Sequence, residues 1–463
     1  MKRVTWNALF LFLGEAGTRF LGFLVAAVLA KRLGVDGFGQ VGFAMSVMAY
    51  GVIASKFGLL TVGIREVARD RERAPGLVGN VLSVRLVLGF VALAAIGVFA
   101  LVVRKPLQVK WLLFLFGTCV ILQSLALEWV FNGIERLEFV ALGRALTNLV
   151  YLGLVLLLVR GPGDLLMVPV AFLAGTGAAV AFLGASYGMR FGVPLPRIDR
   201  GLLRRLVGSA WPIGVASVLT QFHVGYAIVG LSLIRGDHDA GLYASAHRLV
   251  FFMLMADRVF QAVFFPVVSR QMGRPERLPA TTGAALRVIV ALSVPVCAAC
   301  FLLARPLLGF VFGDEFLPAA GILRMLVWFF PLSLLTSLAG YSLLASGRER
   351  RFARNTAIGV TLGIAATTAG IMFYGPPGAA VGTLVGEAGL LVLMGIDFLR
   401  MNRPRVGWRT LGVLGSGALM VAVLLLLREW NWLLAGMAGA VVYAGTVLAS
   451  RAVTFSDLGV TTR

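Results

Sequence analysis

The sequence predicts an all-α polytopic membrane protein with about fourteen transmembrane helices. Three observations predict it. Of 463 residues, 59% are hydrophobic, and the mean hydropathy is +0.91. Only 14% are charged, against about 25% in ordinary soluble domains, so the chain lacks the polar skin a soluble fold of this length needs. Apolar runs long enough to cross a bilayer, about 20 residues each, alternate with short polar breaks throughout. A soluble enzyme, a disordered chain and a secreted disulfide scaffold are excluded.

In order, the spans are Asn7–Ala30, Phe38–Leu60, Val78–Val103, Trp111–Phe131, Phe139–Val159, Met167–Met189, Trp211–Leu233, Leu242–Val268, Ala284–Ala304, Pro318–Ala345, Ala353–Tyr374, Gly378–Leu399, Leu411–Leu427 and Trp432–Ala449. The first follows Lys2 and Arg3 in the manner of a signal peptide. Glu15 and Arg19 interrupt it, however, and the run is too long for an h-region, so it reads as a retained helix. Glycine totals 56, which suits membrane helices that approach closely. Cys119, Cys297 and Cys300 all lie in apolar runs, and Cys297-x-x-Cys300 reads as a buried structural pair. His223, His238 and His247 lack metal-ligand spacing.

Charge sets the orientation. There are 42 Lys and Arg against 21 Asp and Glu, a net +21. With the N-terminus in the cytoplasm, the basic clusters around Arg69, Arg200, Arg274, Arg350 and Arg405 all fall inside. The expectation is a multi-pass protein of the inner (plasma) membrane with both termini cytoplasmic. The basic excess is then topological, and nucleic acid is not needed to explain it.

The chain also repeats weakly. Gly34, Gly39 and Ala44 match Gly236, Gly241 and Ala246 at an offset of 202. Lys105-Pro106-Leu107 answers Arg305-Pro306-Leu307, and Gly133-Ile134-Glu135-Arg136 answers Gly347-Arg348-Glu349-Arg350. An even number of helices per repeat inserts both halves in one orientation, implying a pseudo-two-fold axis along the membrane normal with a cavity between the halves. The expected lobes are 1–198 and 199–402, six helices each, with 403–463 holding two further helices and a cytoplasmic tail.

Ala30-Lys31-Arg32-Leu33-Gly34, Phe38-Gly39, Phe57-Gly58-Leu59 and Arg65-Glu66-Val67-Ala68-Arg69 resemble the opening of bacterial polysaccharide transporters. These are the Wzx-type oligosaccharide flippases of the multidrug/oligosaccharidyl-lipid/polysaccharide exporter superfamily. The Gly-x-Glu-Arg loops at Gly133 and Gly347 fit the same family. The similarity runs the whole chain in order, with its specific motifs concentrated in residues 15–70. Thr18-Arg19-Phe20-Leu21-Gly22-Phe23 also resembles the first helix of lipid II flippases, a sister branch in which an arginine of this motif faces the central cavity. The resemblance implies alternating access and export of glycans, O-antigen units among them, carried on a polyprenyl (undecaprenyl) diphosphate.

Basic residues within spans include Arg19, Lys56, Arg85, Arg248, Arg258 and Arg324. Ionisable residues at membrane depth are functional by default. Arg19 has Glu15 one turn earlier; the two form either a neutral packing pair or a cavity cation with its holder or coupling proton site. The resemblance favours the second. Lys56 and Arg258 are separated by the repeat offset of 202, so they occupy equivalent helices. They either converge on a diphosphate, whose charge would otherwise be desolvated at a cost of several kcal/mol, or are satisfied locally, Lys56 by snorkelling and Arg258 by Asp257. Arg248 shares a helix with Arg258. Arg248, Arg85 and Arg324 each lie near a helix end and read as snorkelling, with Arg248 the best head-group candidate of the three. Glu128 and Glu387 read as packing partners of loop arginines, with proton relay as the alternative.

Asp237-His238-Asp239 has the Asp-x-Asp spacing of some glycosyltransferases, but it lies in a short, predicted external loop. No Walker A sequence or nucleophilic triad is present in the loops. The sequence therefore reads as a flippase, not an enzyme. Its expected substrate is a polyprenyl-diphosphate-linked oligosaccharide, whose head group binds Arg19, Lys56, Arg258 and Arg248. Glu15 and Asp257 are coupling or charge-pairing residues. No cofactor is expected, and the coupling source is a proton, a sodium ion or the membrane potential. Membrane lipids, and a glycan polymerase or assembly proteins, are the partners of a monomer. The alternatives are a lipid II-type flippase, a drug/cation antiporter of the same superfamily and, less favoured, a membrane glycosyltransferase or polymerase.

Overall fold

The computed structural model describes residues 2–70, 74–192, 198–271, 276–405 and 407–452, and the side chains of these except residues 2–16, 74, 259, 262, 263, 265 and 266. The described elements are helices. They form two compact units, Met1–Gly241 and Leu242–Arg463.

In the first unit, α1 (Lys2–Lys56) is two helices joined at Gly34, whose φ of 68° and ψ of −176° are open essentially to glycine alone. The predicted turn between the first two spans lies here. α2 (Leu59–Arg69) follows a 43° bend at Phe57 and Gly58, with φ of 34° and 73°. Next come α3 (Ala74–Val102), α4 (Leu107–Leu125), α5 (Glu128–Gly133), α6 (Leu137–Leu158), α7 (Met167–Phe191) and α8 (Arg200–Ile234). The fourth predicted span is broken, because Ala126 is extended between α4 and α5. α8 begins well before the predicted Trp211 because Asp199 caps it, its Oδ1 accepting from the N–H groups of Gly201 and Leu202.

Trp129, Phe131, Val78, Val81 and Tyr187 build the core of this unit. Arg32 caps the C-terminus of α6, donating to the carbonyls of Val155, Leu156 and Val159 at 3.0, 2.8 and 2.6 Å. α8 packs on α1 through Tyr50, stacked on Phe222 with ring centroids 4.2 Å apart. Gly58 and Gly214 allow backbone contact nearby: a Cβ on either would strike the opposite main chain.

α9 (Asp237–Met253) leads into the second unit, which continues with α10 (Met255–Gln271), α11 (Leu278–Leu302), α12 (Ala304–Phe312), α13 (Ala320–Leu326), α14 (Phe329–Ala345), α15 (Glu349–Met401), α16 (Arg409–Leu427) and α17 (Trp432–Ala449). α12 forms in a stretch read as a polar break, because Leu308 and Phe312 share a buried face. The 53 residues of α15 would reach about 80 Å if straight, far beyond a hydrocarbon core of about 30 Å. α15 is in fact a hairpin, turning at Gly375 (φ 63°, ψ −138°) just before Pro376 and Pro377. Beside the turn Gly370 and Gly378 touch main chain to main chain. At the hairpin's other end, buried Asp397 accepts from Arg351 Nη1 at 3.1 Å and Asn355 Nδ2 at 3.0 Å. Tyr443 of α17 donates to the Ala291 carbonyl at 2.8 Å, tying the last helices to α11.

Among the described residues, ten helices are long and apolar enough to cross a membrane, or eleven with α1 and α2 taken as one bent span. Since α15 folds back on itself, and α9 and α10 are helices of 17 residues each in the place of the eighth predicted span, the architecture is consistent with the predicted fourteen. Leu101, Leu157, Phe373 and Leu426 lie exposed on helix surfaces, where acyl chains rather than water would receive them.

Candidate functional site

The break between α4 and α5 builds a site in the first unit. It takes the Gln123 and Ala126 carbonyls out of regular α-helical pairing, the Gln123 carbonyl accepting from the Ala126 N–H at 3.2 Å. Arg85 of α3 takes them up, Nη1 donating to Ala126 at 2.8 Å and Nη2 to Gln123. The snorkelling expected of Arg85 is not what the chain does: the side chain is 1% exposed, held inward by these two oxygens. No carboxylate accompanies it in those bonds, and its Nε has no partner.

Arg85 lines a cavity of about 180 Å³ together with Lys56, the last residue of α1, and Arg144 of α6. Glu128, first residue of α5, lines it too and accepts from Arg144 Nη2 at 3.3 Å and Nε at 3.4 Å. Glu128 thus pairs with an arginine from a span, not with a loop arginine. Among the described residues that line the cavity, three are cationic and one, Glu128, is a carboxylate. Gln123, Thr147, Asn148 and Thr176 add polar groups to the wall. Besides Arg85 Nε, Trp129 Nε1 and Thr176 Oγ1 are buried there without a hydrogen-bond partner. Surplus donors and surplus positive charge make this a site for an acceptor-rich anion.

Of the residues singled out by sequence, Lys56 is in this cavity. Arg19 is half-buried on α1. One turn on, a Cβ at Gly22 would stand 3.6 Å from Asn148 Oδ1, a wall residue. The side chain of Glu15 lies outside the described residues. Arg144, Gln123 and Asn148 were missed, although Arg144 and Asn148 stand four apart on an apolar helix, a polar stripe that could have signalled them.

In the second unit, Arg248 of α9 and Arg258 of α10 are exposed. Asp257 belongs to a separate polar cluster: its Oδ2 accepts from Gln261 Nε2 at 2.6 Å and Ser337 Oγ at 3.1 Å. Tyr341 donates to Gln261 Oε1 at 2.7 Å. Asp257 Oδ1 is buried without a hydrogen-bond partner, and Glu387 is buried on α15. An apolar groove of about 560 Å³ runs along α11, α14 and α16, lined by Val290, Val294, Phe301, Trp328, Leu335 and Val421 among others. Cys119, Cys297 and Cys300 are buried and free. Among the described residues no group of three His, Cys, Asp or Glu side chains could hold a metal ion.

The fold and the cavity define a polytopic helical membrane protein with a cation-rich pocket among its spanning helices. The chain belongs to the polysaccharide biosynthesis protein family, whose pattern it matches over residues 4–272. It is 20% identical over 398 residues to the "Putative O-antigen transporter" of Shigella dysenteriae, covering 84% of this chain and 98% of that one. It is 25% identical over 205 residues to the "Probable low-salt glycan biosynthesis flippase Agl15" of Haloferax volcanii, covering 43% and 42%. In structure it resembles the lipid II flippase MurJ in an inward closed conformation, with a TM-score of 0.74 at 15% identity over 96% of this chain and 99% of that one. It also resembles an inward-facing multidrug resistance MATE transporter, with a TM-score of 0.65 at 18% identity over 83% and 93%. At these identities the two structures establish the shared fold.

Proposed function

We propose that the protein is a flippase that moves a polyprenyl-diphosphate-linked oligosaccharide from the cytoplasmic to the outer leaflet by alternating access. The carrying observation is the pocket among the spanning helices whose described lining holds Lys56, Arg85 and Arg144 beside the carboxylate of Glu128. Moving a diphosphate through a low-dielectric core costs several kcal/mol or more unless fixed cations and donors replace its water. Guanidinium groups do so with bidentate geometry. Amide and hydroxyl groups beside them suit a glycan. The names of the Shigella and Haloferax relatives support the same substrate class.

Arg19, Lys56, Arg258 and Arg248 are the head-group cations of this reading, and Arg85 and Arg144 join them. The apolar groove on α11, α14 and α16 would take the prenyl tail. Asp257, with its unpartnered buried oxygen, and Glu15 are the coupling candidates, for a proton or a sodium ion. The moving bodies are the expected lobes, 1–198 and 199–402. A drug/cation antiporter would need a surplus of carboxylates at the pocket, which holds the reverse.

Mass spectrometry of lipids co-purifying with the detergent-solubilised protein tests this reading. A polyprenyl diphosphate bearing a glycan is expected with the wild type and depleted about tenfold or more with Lys56→Ala. Wild-type protein free of such lipids when purified from glycan-producing cells would overturn it.

A further inference from the structure

We infer that Lys105 and Asp237 form a breakable latch, closing the predicted external end of the α1–α8 helix pair and parting when that end opens. Lys105 Nζ lies 2.6 Å from Asp237 Oδ1, and the two side chains are 9% and 12% exposed. Both ions are further satisfied. Asp237 Oδ1 accepts from Ser232 Oγ at 2.6 Å, Lys105 donates to the Ser232 carbonyl at 2.6 Å, and its ammonium sits 5.6 Å from the Phe43 ring centroid. The pair ties the turn between α3 and α4 to the turn between α8 and α9.

Beside it, Gly39 and Gly241 cross main chain against main chain. A Cβ on Gly39 would strike the Asp237 carbonyl, and one on Gly241 the Val35 carbonyl. His238 Nδ1 approaches Asp36 Oδ1 at 3.5 Å on the exposed rim. The Asp-x-Asp sequence is thereby accounted for: its first carboxylate is held by a lysine, and its histidine faces another aspartate.

The chemistry of this contact favours a latch over permanent packing. A buried ion pair gains strong Coulomb and hydrogen-bond energy when closed, yet its partners regain their lost hydration when parted. Two glycine surfaces separate without disengaging interlocked side chains. An apolar contact of the same size would instead expose its surface to water. Nor is the pair a by-product of the repeat. The position 202 before Asp237 is Val35, and Arg305, the match of Lys105 in the Pro-Leu motif, is exposed.

This inference rests on the transport reading for its purpose, but its test needs no substrate. The full chain, with Cys119, Cys297 and Cys300 replaced by alanine, carries one new cysteine at Ala227, which is 4% exposed on α8 inward of Ser232. Its maleimide labelling rate is measured in detergent. Lys105→Met and Asp237→Asn should each raise the rate about tenfold or more, the scale of a charged hydrogen bond. Lys105→Arg should leave it near the parent rate, and the reversed pair Lys105→Asp with Asp237→Lys should bring it back towards that rate. A control cysteine at Ala171, fully buried on α7, should stay slow throughout. Unchanged labelling at position 227 in the single variants would overturn the latch. So would an undiminished rise in the reversed pair, or a parallel rise at position 171, since the ion pair would then only hold the fold together.

Discussion

Lys56→Ala and Arg85→Met are expected to cut glycan export by this protein about tenfold or more, and they should do so in different ways. Lys56 ends α1 and contributes charge to the cavity wall. Its removal should weaken head-group binding about tenfold or more, the worth of a charge-assisted hydrogen bond, while the protein accumulates normally. Lys56→Arg keeps the charge and should retain most export. Arg85→Met removes a cation, orphans the Ala126 carbonyl and takes one of two donors from the Gln123 carbonyl. A buried orphan costs about 1–3 kcal/mol, so this variant should melt earlier as well as lose export. Glycan export in cells lacking the native gene, measured beside membrane abundance and melting temperature, checks both. Wild-type export from Lys56→Ala would show that the lysine serves only its helix end.

Gly39→Val should be the most damaging single substitution of a small residue in the first unit. Its Cβ would occupy the space of the Asp237 carbonyl, and no flexible side chain there can move aside. Overpacking of this kind costs about 1–3 kcal/mol even where the surroundings yield. Here two helices must separate, so the loss should reach or exceed the top of that range. Gly39→Ala should show a smaller drop of the same sign. Gly153→Ala, where an added Cβ meets nothing within 4 Å, is the control and should melt with the parent. Equal melting temperatures for Gly39→Val and Gly153→Ala would refute the close crossing.

The spans and their turns were legible because hydropathy and glycine report on local physics. Gly34 and Gly375 sit at predicted turns and adopt backbone conformations that glycine tolerates and other residues do not. Lys56 was legible because a cation in an apolar run is costly wherever it points. The rest of the pocket was not. Arg85 looked able to reach a helix end, and what holds it inward is the extended Ala126, within Ser124-Leu125-Ala126-Leu127, a stretch without proline or glycine to announce a break. Arg144 and Glu128 meet through tertiary packing that no periodicity encodes. α12 was hidden because a single amphipathic turn or two inside a polar break resembles a loop until its apolar face finds a core.

Translocation by purified protein in proteoliposomes tests the central claim most directly. A short-chain polyprenyl diphosphate bearing a fluorescent oligosaccharide is placed in one leaflet, and an impermeant quencher reports its arrival in the other. The assay is run with a proton gradient, a sodium gradient or a membrane potential imposed. Wild-type protein is expected to move the lipid under at least one of these, and Lys56→Ala to move it about tenfold more slowly or worse. No movement by the wild type under any gradient, or equal movement by wild type and Lys56→Ala, would contradict the assignment of the cationic pocket to lipid-linked glycan transport.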